Sequence, residues 1–183
     1  MDFLTCDIKD TTTHGLHITR SSSYALHGFT YADWAGSVDD RKSTGGYLVF
    51  FSQMPISWKS GKQCAVARFS TQVECKVLAN DTAEFIWLQY LLTDLQIASV
   101  SAPIIWCDNL GATYLSVNPV FHACTKHVEV DYHFVRDRVV KKEIHIRFIS
   151  SQDQLADVFT KPLPTASFTA FRFKLGVDPP PLA

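Results

Sequence analysis

The 183-residue chain has almost no excess of charge of either sign: 17 Lys and Arg stand against 18 Asp and Glu, for a formal net charge of −1. No global field draws it toward nucleic acid or an anionic membrane, so any such contact must come from local patches. No apolar run approaches ~18 residues, which argues against a membrane-spanning helix and a membrane partner, and no segment has the pattern of a signal peptide. The five cysteines, Cys6, Cys64, Cys75, Cys107 and Cys124, are scattered and include no C-x-x-C pair. An odd, dispersed set predicts free thiols in a reducing, intracellular setting, cytoplasmic or nuclear. There is no internal repeat, no P-loop and no G-x-S-x-G elbow, so ATP-cradling and serine-nucleophile chemistries have no support.

What is present is enough apolar material, 46% of residues, for one hydrophobic core. The expected organisation is a linker over 1–23, one domain over 24–163 and a C-terminal tail over 164–183. "GLHI" suggests a short strand. "YALHGFTYADW" alternates with period two and predicts a longer one. "SVDDRKSTGG" reads as turn, "YLVFF" as a buried strand, "SQMP" as turn and "ISWKS" as a third strand, together an antiparallel meander. The period then changes. Val73, Val77, Leu78, Phe85, Trp87, Leu88, Leu91 and Leu92 fit a long helix over 70–95, with Ser70 or Thr71 as its N-cap. "IIWCD" predicts a strand, "NLGATYLSV" a short helix, "KHVEVDYHFVRDRVV" another helix, "IHIRFI" a strand, and "SQDQLADVFTKPL" a cap and short helix. The tail "GVDPPPLA" is expected to be irregular. Strands joined through helices should run parallel, which gives an α/β fold with a mixed five-stranded sheet and helices on both faces.

Two predicted strands end in acids, Asp33 and Asp108. If those strands are parallel neighbours, their ends lie roughly 5 Å apart, and two carboxylates that close repel unless a cation lies between them. Glu74 is expected in the first turn of the long helix, and Asp157 in the last short one. Four such oxygens on one sheet edge would suit Mg²⁺ or Mn²⁺ rather than zinc. Each acid also has an ordinary explanation: Asp33 as a turn former, Glu74 as an answer to the helix dipole, Asp108–Asn109 as a cap and Asp157 as a first-turn acid. Nothing in the pattern alone brings the four together.

The pieces "ADWAGSVDDRKSTGGY", "ISWKSGKQ", "ST-x-x-E", "WCDNLGA", "TKHVEVDYHFVRD" and "QLADVFTKPL" occur in an order that resembles the ribonuclease H domain of copia-type retrotransposon Pol polyproteins. They cover about Gly15 to Val177. The resemblance implies a ribonuclease H-like fold, hydrolysis of the RNA strand of RNA/DNA hybrids with two Mg²⁺ (or Mn²⁺) ions, and an ancestral partner in the reverse transcriptase part of the same polyprotein. It maps catalytic and metal-holding acids onto Glu74, Asp108 and Asp157. The fourth is eroded: where the family reads D-A-D-W this chain has "YADW", so Tyr31 stands at one Asp and only Asp33 remains. Asp33 lies ~6–7 Å further along the strand than the missing acid. Phe69, Gln72 and Cys75 also depart from the helix motif. The implied function is a ribonuclease H domain with impaired activity. The alternative is an inactive remnant or a co-opted nucleic-acid or protein binding module.

Lys59, Lys62, Arg68, Arg138 and Lys142 are the candidate phosphate contacts, with Arg136, Lys141 and Arg147 near the last two. A solvated basic face explains them as well. "FHACTKH" offers His122, Cys124 and His127, with Asp131 beyond. A structural zinc site wants four well-spaced ligands, and this crowded loop reads by default as loop and helix cap.

Overall fold

A computed structural model describes residues 12–21, 23–97, 101–117, 129–161 and 163–179. Strands β1 (Gly15–Leu16), β2 (Leu26–Asp33), β3 (Thr44–Phe51) and β4 (Met54–Lys62) precede helix α1 (Ser70–Asp94). Then come β5 (Ile104–Cys107), α2 (Leu110–Val117), α3 (Glu129–Val140) and β6 (His145–Phe148). Two 3₁₀ segments (Ser151–Asp153 and Leu155–Phe159), α4 (Thr165–Lys174) and β7 (Val177–Asp178) complete the described chain. The main sheet has the order β4-β3-β2-β5-β6. β2, β3 and β4 form the antiparallel meander, and β5 pairs parallel with both β2 and β6. The α/β class and the mixed five-stranded sheet are as the sequence led us to expect.

Alternation along β2 decides which side chains meet α1. Leu26, Gly28, Thr30 and Ala32 are buried, while the residues between them are half-buried. Gly28 is backed by Phe85 of α1, and a Cβ there would lie 2.6 Å from the Leu48 carbonyl oxygen and 2.8 Å from the Phe85 ring. Close approach of helix to sheet therefore requires glycine at this position. Phe85, Leu78, Leu88 and Leu92 pack with Ile105, Ala112, Val135, Ile144 and Ile146, which places α1, α2 and α3 over one face. Each of these side chains larger than alanine contributes about 1.5–3 kcal/mol by leaving water. On the other face, Phe159 lies against Gly46 of β3.

The structure differs from the sequence expectations in several places. Gly45 and Gly46, read as turn, lie within β3, where a Cβ on Gly45 would clash with Val77. Met54 and Pro55, also read as turn, begin β4. The long helix starts at Ser70, but its N-cap is Phe69 in an extended conformation, with no side-chain cap. Trp87 (55% exposed) and Leu91 (38% exposed), counted in its apolar stripe, face outward. The stretch expected as a tail contains α4, and Val177–Asp178 pairs antiparallel with Gly15–Leu16. Residues 126–128 of the expected third helix lie outside the described residues.

Candidate active site

Register builds the site. Thr30 of β2 pairs with Cys107 of β5 in parallel. The residues one step further, Tyr31 and Asp108, therefore stand side by side past the end of β5. Asn109 follows and caps α2, its side-chain oxygen accepting from the Ala112 N–H at 3.0 Å. The cap turns the chain away and leaves Asp108 at the strand end. From α1, Glu74 reaches the same place. It is the fifth helical residue and 4% exposed, so it lies beyond the first turn where the sequence led us to expect it, held by burial against the sheet and not by the helix dipole. The Ala32 N–H donates to Glu74 Oε1 at 3.1 Å, while Oε2 is buried and has no hydrogen-bond partner. Oxygen atoms of Glu74 and Asp108 and the Cys107 sulfur lie within 4.8 Å of one another.

The electrostatics follow from burial. Desolvation, and secondarily the charge of Asp108, push the Glu74 carboxyl up to about 8, against a smaller downward pull from the Ala32 N–H. Burial also raises Asp108, opposed by the Ser151 hydroxyl that donates to its Oδ2 at 2.9 Å. Burial holds the Cys107 thiol far above the ordinary thiol range, so it offers a neutral S–H and no thiolate. Among the described residues, Cys64, Cys75 and Cys107 are free; Cys6 and Cys124 lie outside them.

Asp157 enters from the second 3₁₀ segment. Its Oδ1 pairs with Lys161 Nζ at 2.7 Å, and that ammonium lies 5.4 Å from the centre of the Tyr31 ring. Asp157 is close enough to Asp108 for its charge to raise that carboxyl. Gln154 ties the segment to the sheet by donating to the Thr30 carbonyl oxygen at 3.0 Å. Glu74, Asp108, Asp157 and Tyr31 are therefore neighbours. Asp33 is two residues beyond Tyr31, opposite Thr44, and its carboxylate lies over Gly36, where a Cβ would collide with Oδ2.

The basic candidates divide. Lys62 ends β4 on the same sheet edge, opposite Thr44, and Arg68 follows in the exposed loop into α1. Lys62 is paired with Asp40 at 2.8 Å. Lys59 sits three residues earlier on β4. Arg138 is bound to Glu143 at 2.8 Å, and both it and Lys142 precede β6, at the opposite end of the parallel strands from Asp108. His122, Cys124 and His127 lie outside the described residues. Sequence reasoning missed Ser151, Gln154 and Lys161. Only the short spacing of Lys161 from Asp157 was visible there.

This strand order and helix placement are those of the ribonuclease H fold. The structure superposes with a TM-score of 0.56 on the N-terminal ribonuclease H domain of a Mycobacterium tuberculosis protein (9% identity, 82% of this chain and 98% of that one). It superposes with 0.55 on LC11-RNase H1 in complex with an RNA/DNA hybrid (7% identity, 78% and 99%). No family model matches the chain. Its sequence is 45% identical over 170 residues to the retrovirus-related Pol polyprotein from transposon RE1 of Arabidopsis thaliana, covering 93% of this chain and 12% of that polyprotein. It is 37% identical over 152 residues to the corresponding polyprotein from transposon TNT 1-94 of Nicotiana tabacum, covering 83% and 11%. The chain is thus a homologue of one segment of the Pol polyproteins of copia-type transposons. Among the described residues, no helix is long and apolar enough to cross a membrane.

Proposed function

We propose that the chain is a ribonuclease H-type domain whose acidic site serves divalent-metal-assisted hydrolysis of the RNA strand of an RNA/DNA hybrid, attenuated by Tyr31. The observation that carries this reading is the convergence of Glu74 and Asp108 beside Tyr31, at the end of two parallel strands in a ribonuclease H fold. The donor set fits a hard cation. A buried carboxylate oxygen of Glu74 lacks any partner, Asp108 is within reach, and the sulfur that joins them, of Cys107, is a neutral thiol.

Glu74, Asp108 and Asp157 would hold Mg²⁺ or Mn²⁺. A bound ion would supply positive charge against the charge developing on the scissile phosphodiester. The protein does the rest by holding geometry. Ala32 fixes Glu74, Ser151 orients Asp108, and Gln154 anchors the segment that carries Asp157. Lys59, Lys62 and Arg68 flank this edge and would take the hybrid's phosphates. Asp33, turned onto Gly36, is the weaker candidate ligand. A phenol at 31 is neutral at pH 7, and burial raises it further above its ordinary value, so it cannot replace a carboxylate. The ancestral partner in this reading is the reverse transcriptase portion of a Pol polyprotein.

A second reading, a domain that binds hybrid without cutting it, is favoured by the same tyrosine. A labelled-RNA hybrid cleavage assay with Mg²⁺ and with Mn²⁺ decides between them. Slow cleavage by the native chain, accelerated at least about tenfold by Tyr31→Asp and abolished by Asp108→Asn, is the expected result; tenfold corresponds to ~1.4 kcal/mol of transition-state stabilisation. Vigorous native cleavage, indifferent to Tyr31→Asp but lost in Asp33→Asn, would make Asp33 the strand acid. No cleavage by either the native chain or Tyr31→Asp would favour the binding module.

A further inference from the structure

We propose that Lys161 is a resident cation of the acidic site, whose ammonium, held between the Asp157 carboxylate and the Tyr31 ring, competes with a divalent ion for Asp157. The inference rests on the reading of Glu74, Asp108 and Asp157 as metal-holding acids. The local fold builds the arrangement. The Thr160 N–H and hydroxyl both bond to the Asp157 carbonyl oxygen, closing a turn directly after the 3₁₀ segment. That turn brings Lys161, four residues after Asp157, back over its own carboxylate at 2.7 Å.

Two contacts of different kinds then hold the ammonium, the ion pair and the aromatic face of Tyr31 at 5.4 Å. Tyr31 offers the cation a π face but no charge. Among the described residues, Lys161 is ion-paired with Asp157, and neither Glu74 nor Asp108 is in an ion pair. A unit positive charge at ion-pair distance occupies a ligand oxygen and repels an incoming cation. The site consequently divides into a half open to a metal, at Glu74 and Asp108, and a half already neutralised, at Asp157. An arriving ion needs Lys161 to swing out if Asp157 Oδ1 is to join its ligands. The lysine side chain is 45% exposed and has solvent to swing into.

Manganese binding, followed by calorimetry and by the electron paramagnetic resonance of free Mn²⁺, tests this without any catalytic readout. Lys161→Met keeps an unbranched side chain of similar length and removes the charge. Lys161→Gln does so with a polar head, in case the methionine perturbs the fold. Lys161→Arg keeps the charge. The neutral variants are expected to bind Mn²⁺ about 30-fold more tightly, the water limit for a divalent ion and one unit charge at ~4 Å. The arginine variant should stay close to the native chain. Asp108→Asn separates this inference from the reading beneath it. If the neutral Lys161 variants match the native chain while Asp108→Asn weakens binding, the acidic site stands and the competing role of Lys161 falls. If neither Asp108→Asn nor the neutral variants alter Mn²⁺ binding, both fall.

Discussion

Glu74 should make the metal-free protein less stable as pH rises, and Glu74→Gln should remove that dependence. Burial and the neighbouring Asp108 hold its carboxyl near 8 in the folded chain, against an ordinary value of 4.5. Below 4.5 the group is protonated in both states, and its neutral, buried form costs little. As pH rises from 4.5, the unfolded chain releases its proton while the folded chain retains it until about pH 8, so ionisation favours unfolding throughout that window. At ~1.36 kcal/mol per pH unit, the interval amounts to about 5 kcal/mol by pH 8. For a domain of this size that is a fall in Tm of roughly 10–20 °C. Glutamine preserves an oxygen for the Ala32 N–H and has no proton to lose. Asp81, buried in the same helix with its carboxyl also raised by desolvation, tilts the curve in the same direction. The measured quantity is therefore the difference between native and Glu74→Gln proteins, from urea unfolding in chelator at pH 5, 6.5 and 8. Equal pH slopes for the two proteins would refute the reasoning, since they would mean that Glu74 is solvated or already paired. Added Mn²⁺ should restore native stability at pH 8, where the Glu74 carboxyl is about half ionised and the proton competes far less than at pH 5, and should do little at pH 5.

Hybrid binding should be modest and salt-dependent. Three phosphate contacts from Lys59, Lys62 and Arg68 imply a loss of about 40-fold between 50 and 200 mM salt, and Arg68→Glu should lower the slope by about one contact. Lys142→Glu, at the far end of the strands, should change binding less than Arg68→Glu, and the reverse ranking in a fluorescence-anisotropy titration would misplace the hybrid. Gly28→Ala should destabilise the fold by about 1–3 kcal/mol in chemical denaturation, because its methyl group would meet the Leu48 backbone oxygen. An unchanged midpoint would show that α1 and β3 can yield there.

Much of the fold was legible because hydrophobic period carries it. The switch from alternation in "HGFTYAD" to helical spacing after Ser70 located β2 and α1 within a residue or two of their ends. Gly45–Gly46 misled because glycine is turn-like locally, yet here it lets Val77 and Phe159 approach β3. The N-cap was misassigned because tertiary packing of Val73 and Val77 fixes the start of α1 without any side-chain cap. Helix α4 has no buried residue to write a period into the sequence. In the site, Glu74 and Asp108 could be suspected from motif, but their meeting depends on the register Thr30↔Cys107, which no local pattern encodes. Lys161 was invisible for the same reason: its second partner, Tyr31, lies 130 residues away in sequence.

The pairing of Gly15–Leu16 with Val177–Asp178 has a mechanical consequence. Residues 15–16 and 177–178 lie side by side, joined by a ladder two residues long that closes the polypeptide between them like a clasp. Tension along that polypeptide would load the short ladder first and unzip it, before force reached the long β2–β3–β4 seams. Pulling residues 15 and 178 apart would therefore open the clasp before it strained the strand ends that carry Asp33 and Asp108.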